Sequence, residues 1–99
     1  MKIVKFAYIL MGKNFSQKEN IAHIVNTYND ATIIGVDNIK DACQVVLQLK
    51  SEGYECIELC GAFGEAGANA ILAATDNEIA IGYSTHFSSQ DKLFDQIFS

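Results

Sequence analysis

Glu58, Cys60 and His86 are the side chains whose types and places along the chain could carry chemistry. The first two fall in the run Ile57-Glu58-Leu59-Cys60-Gly61-Ala62-Phe63-Gly64-Glu65-Ala66-Gly67, which reads as a strand entering a glycine-punctuated turn that opens a helix. Alternation sets Cys56, Glu58 and Cys60 on one face of that strand and Ile57 and Leu59 on the other. A glutamate in mid-strand is costly in a covered parallel sheet unless it is hydrogen-bonded or lines a cavity. In a cavity its pKa rises and it can serve as an acid or base. The plainer alternative is a carboxylate satisfied by a helix donor or lying on an uncovered face. Cys60 stands beside a helix N-terminus, which favours the thiolate, although a free cysteine is more often a small buried hydrophobe. His86 ends the following strand and could pair with Cys60 as base to nucleophile.

The backbone around these residues could hold a ligand. Gly61, Ala62, Phe63 and Gly64 lead into a helix N-terminus, whose N–H groups suit a carboxylate or phosphate. Lys13 and Asn14, at the end of the first strand, would reach the same edge. Glu65 opposes this reading, since a carboxylate in the first turn already complements the dipole and repels an anion. The spacing Gly61-x-x-Gly64-x-x-Gly67 is neither the dinucleotide fingerprint nor a phosphate-binding P-loop. Tight turning and close helix–sheet packing explain it equally well. No spacing suits a metal, and no cofactor is implied. Cys56 and Cys60 are about 13 Å apart at about 3.3 Å per strand residue, too far for a disulfide. Tyr8 and Tyr83 could line the same space, or simply pack.

These groups need a scaffold, and strands alternating with helices would provide it. Ile3–Met11 is a nearly continuous apolar run, as in a strand covered on both faces. Ser16-Gln17-Lys18-Glu19 has the form of a capping box. Ile21, Ile24, Val25 and Tyr28 follow at helical spacing and predict a helix over Gln17–Tyr28. Thr32–Val36 reads as a second strand. Asn38 caps a helix carrying Ile39, Cys43, Val46 and Leu49, which ends at Gly53 with Lys50 in its last turn. Cys56–Cys60 is the third strand and Glu65–Thr75 an alanine-rich helix. In that helix Ala66, Ala70, Ala73 and Ala74 permit close approach to a sheet. Ile79–Ser84 is the fourth strand. Ser88 or Ser89 caps a last helix striped by Leu93, Phe94, Ile97 and Phe98. The stripe either docks that helix or meets another subunit. His23 lies off the apolar stripe of the first helix and is expected in solvent.

Four βα units imply an α/β fold: parallel strands joined by right-handed crossovers in an open sheet, with helices on both faces and a flavodoxin-like order. Half of a (βα)8 barrel completed by dimerisation is the alternative. Both put ligands at the C-terminal strand edge.

With 99 residues, the chain is sized for a single domain over 1–99. Its hydrophobic fraction of 49% suits a packed core, and seven basic against twelve acidic residues give a net charge of −5. Arginine is absent and lysines nowhere cluster, which argues against nucleic acid or an anionic membrane as partner. Nothing approaches the roughly 18 apolar residues of a spanning helix. Lys5 breaks the N-terminal apolar run and no cleavage-site pattern follows, so no signal peptide is expected. Three cysteines without scaffold spacing fit a reducing cytoplasm.

Three segments, Phe6-Ala7-Tyr8-Ile9-Leu10-Met11-Gly12, Ile33-Ile34-Gly35-Val36 and Ile57-Glu58-Leu59-Cys60-Gly61-Ala62-Phe63-Gly64, together resemble a family of small prokaryotic proteins classed as a domain of unknown function. The similarity runs from the N-terminus to about His86, leaving the last helix outside it, and implies no activity. The stretch 36–64 also looks like one repeat of a phosphate-binding barrel, an analogy of fold only.

The sequence thus supports a homo-oligomeric α/β protein binding a small anionic metabolite. It could be a lyase or isomerase in which Glu58 or His86 is the base and Cys60 the acid or nucleophile. A non-catalytic ligand-binding or sensing module, and a structural subunit, are the rival readings.

Overall fold

The architecture follows from which apolar runs find partners. The computed structural model describes residues 2–98. Five strands, β1 (Val4–Met11), β2 (Ile21–Val25), β3 (Asn29–Val36), β4 (Cys56–Leu59) and β5 (Ala80–Tyr83), form one sheet in the order β2-β3-β1-β4-β5. β3, β1, β4 and β5 are parallel, and β2 is antiparallel to β3 at the edge. The fold is thus mixed α/β with a mostly parallel sheet, its parallel strands in the order β3-β1-β4-β5, and it is not the succession of four βα units expected.

The helix expected over Gln17–Tyr28 is instead a turn followed by β2. Ser16 does organise a turn, since its carbonyl accepts the N–H groups of Glu19 and Asn20. The chain then extends, and the side-chain carbonyl of Asn26 accepts the Tyr28 and Asn29 N–H groups to close a hairpin into β3. Apolar residues at 21, 24 and 25 have helical spacing, and in the strand they divide between its two faces. β-Branched Ile21, Ile24 and Val25 prefer the pleated ladder that the β3 edge offers.

Helix α1 (Ile39–Ser51) is bounded as its sequence dictates. Asn38 Oδ1 accepts the Asp41 N–H at 2.8 Å, and Gly53 follows the helix at φ 88°. The last-turn Lys50 pairs with Glu78 at 3.1 Å. Helix α2 (Gly64–Ala74) meets α1 and the sheet through Gly67, Ala68 and Ile71. Ala66 and Ala73, expected against the sheet, are exposed. A Cβ on Gly67 would stand 3.1 Å from Ile39 Cδ1, so the glycine allows the close α1–α2 approach. Helix α3 (Asp91–Phe98) follows a short 3-10 turn over Ser88–Gln90.

The core lies between the sheet and the pair α1–α2. Ala7 and Ile9 of β1, Ile34 and Val36 of β3, and Ile57 and Leu59 of β4 face Val45, Val46 and Leu49 of α1 and Ile71 of α2. The expectation of helices on both faces is not met among the described residues. The segment that should have crossed the second face became β2, and the side chains of α3 are exposed. That second face presents Val4, Phe6, Tyr8 and Leu10 of β1, with Cys56 and Glu58 of β4 beside them.

Candidate functional site

Sheet register assembles the site. β4 is parallel to both of its neighbours, with Glu58 opposite Tyr8 on one side and Gly82 on the other. Ile57 and Leu59 are buried beneath the helices, so Glu58 stands on the uncovered face and is exposed. A Cβ built on Gly82 would lie 2.7 Å from both carboxylate oxygens of Glu58, so the carboxylate lies across β5 where a side chain is missing. Tyr8 Oη and Ser84 Oγ share a hydrogen bond of 2.8 Å, linking β1 to the end of β5 on either side of β4. Cys56, also on this face and half-buried, has its thiol pKa raised, first by burial and second by the negative charge of Glu58. Glu58 makes no hydrogen bond or ion pair with the described residues.

The other sequence-predicted residues disperse. β4 ends at Leu59, and Cys60 begins the 3-10 turn Gly61–Phe63. Its Sγ accepts the Met11 N–H at 3.2 Å, and the side chain packs partly against the core. His86 Nε2 meets Asp91 Oδ1 at 2.7 Å, and its ring stacks on Phe94 with centroids 3.9 Å apart. Its partners are thus in α3, where sequence order suggested Cys60. Within the Gly61–Gly64 turn, the Phe63 N–H donates to the Cys60 carbonyl and the Gly64 N–H to that of Gly61. Phe63 is buried in the core, and Gly64 takes φ 62°, a conformation that favours glycine. Two of the amides expected to hold an anion are therefore used within the turn. Tyr83 pairs with Leu59 and so lies on the helix-covered side of the sheet, opposite Tyr8.

An open hollow of about 500 Å³ lies elsewhere, between the β1–β2 loop and the start of α1. Asn14 lines it and its N–H donates to Asp37 Oδ1. Lys13 is exposed in the same loop without lining it. Asp37 and Asp41 on the far wall give an anion little attraction there. On the helix side a polar chain runs from Tyr54 Oη to Thr32 Oγ1 (2.6 Å) and on to His23 Nδ1 (3.2 Å). His23 is exposed as expected, but on a strand.

Sequence reasoning missed Gly82 and the Tyr8–Ser84 pair. A glycine inside a four-residue strand was the available signal, since it marks a close approach. Among the described residues no group of three or more His, Cys, Asp or Glu side chains could hold a metal, and the three cysteines are free. Also among the described residues, no helix is long and apolar enough to cross a membrane.

The family model that matches residues 4–99 is that of DUF6506, a family of unknown function. The chain belongs to this family. The match takes in the last helix, which the sequence resemblance had left out. No curated protein and no solved structure is significantly similar to the chain.

Proposed function

We propose that this DUF6506 protein is a small-molecule-binding module whose site is the uncovered sheet face at Glu58, with Tyr8 and Ser84 as its other polar groups. One observation carries the proposal. A carboxylate with no hydrogen bond or ion pair among the described residues lies in the middle of a largely apolar face, in space left by Gly82. An ionised carboxylate there has acceptor oxygens free to take hydrogen bonds from a ligand. The ligand class changes accordingly. A lone carboxylate attracts an amine or a hydroxyl donor, whereas the Gly61–Gly64 turn, with Glu65 in the first turn of α2, offers little to an anionic metabolite. Phe6 and Tyr8 would cover the apolar part of such a ligand. Catalysis by Glu58, Cys60 and His86 together has less support, because Cys60 is engaged by Met11 and His86 by Asp91 and Phe94. A cytoplasmic setting belongs to the same proposal and rests on the three free thiols.

Thermal-shift titration with panels of primary amines, polyols, carboxylates and phosphate esters tests it. Amines or polyols should raise the melting temperature of the wild type and leave Glu58→Gln unmoved. Phosphates or carboxylates acting equally on both proteins would return the site to the glycine turn. No response to any panel would sink the binding reading.

A further inference from the structure

We propose that the uncovered sheet face is covered by a second copy of this chain, with α3 of each copy laid across the sheet of the other. Surface area carries the argument. A folded monomer of 10.8 kDa should expose about 5,500 Å², and this chain exposes 6575 Å². The surplus of about 1,000 Å² slightly exceeds the roughly 800 Å² that one partner contributes to a stable interface. The radius of gyration agrees, at 13.9 Å against about 12.6 Å for a compact domain of this length.

Two exposed apolar surfaces are available for such a contact. One is the sheet face, where Val4, Phe6, Leu10 and Ile24 are each at least a third exposed. The other is the stripe Leu93, Phe94, Ile97 and Phe98 on α3. An eight-residue helix is not stable by itself in water. This one is tied at its start by the His86–Asp91 contact and the His86–Phe94 stack, while Ile97 and Phe98 beyond remain more than 70% exposed. Charge points to a copy of the same chain. Along the strands, this face carries one formal charge, Glu58, among the described residues. Two chains of net charge −5 can therefore meet here with their remaining charges directed elsewhere. Each copy offers one helix stripe and one sheet face, so the contact closes with two-fold symmetry and leaves neither surface in water. The partner helix would also roof the Glu58 site. That consequence rests on the ligand-binding reading, whereas the contact itself does not.

Sedimentation velocity on the full chain across a range of concentrations tests the contact. The expected mass is twice 10.8 kDa. Ile97→Asp and Ile24→Lys, both at positions more than 60% exposed, should each give the mass of one chain with an unchanged far-UV spectrum. An equimolar mixture of the two variants should associate again, because one of the two reciprocal contacts is then unmutated. A wild type with the mass of one chain at every concentration, as when α3 closes on its own sheet, overturns the proposal. So does a dimer that both variants leave intact, or a mixture that stays monomeric. Ligand response plays no part in these readouts, so failure here is distinguishable from failure of the binding site.

Discussion

At the residue scale, Glu58 adds to the effect of burial on its neighbour Cys56. The Cys56 thiol is held above its ordinary pKa by burial first and by the Glu58 charge second. Glu58→Gln removes only the smaller cause, so the pH profile of Cys56 alkylation should move part of the way to lower pH, with faster labelling at neutral pH. The profile is read by mass spectrometry of the labelled peptide, and an unchanged one would separate the two side chains. Gly82→Ala should act on the same carboxylate from below. Its new methyl meets the mobile end of Glu58 rather than backbone, so the carboxylate swings away at little cost in stability. Ligand response should fall while the urea midpoint stays nearly where it was. Glu58 was legible as a polar residue in mid-strand; its relation to Gly82 was not, because residues 24 apart become neighbours only through register.

At the scale of elements, α1 was legible at both ends because its signals are local. Asn38→Ala should cost about 1 kcal/mol through the lost Oδ1–Asp41 bond. Gly53→Ala should cost about 1–2 kcal/mol from the left-handed backbone alone, since nothing lies within 4 Å of the added Cβ. Urea unfolding measures both. β2 was misread as a helix because its apolar residues fall at helical spacing although their β-branched types suit a strand, and the edge of β3 decided between them. Asn26→Ala should therefore destabilise by about 1 kcal/mol, through two bonds that close a hairpin and that Asn26 within a helix over Gln17–Tyr28 would not make. A variant of unchanged stability would count against the hairpin.

At the scale of the whole molecule, one helix fewer than expected among the described residues leaves one face of the sheet without a helix. A one-sided core is small, so each buried side chain weighs heavily. Ile57→Ala, at a fully buried position beneath both helices, should cost about 2–5 kcal/mol. That is a large part of the 5–15 kcal/mol, or thereabouts, that holds most domains folded. Calorimetry of the variant checks this. If two copies cover each other's bare faces, the melting temperature of the wild type should also rise with protein concentration, and that of Ile97→Asp should not.

The sequence by itself determined the parallel α/β ladder, the caps of α1 and the glycine turn after β4. Each of these depends on residues a few positions apart, whose propensities and hydrogen bonds act within one turn or one strand. Only the tertiary structure decided that residues 21–25 extend and that Glu58 lies over Gly82 on an open face. Those outcomes depend on which distant edge or side chain a segment meets, and contact between distant segments is fixed by sheet order and register rather than by local preference.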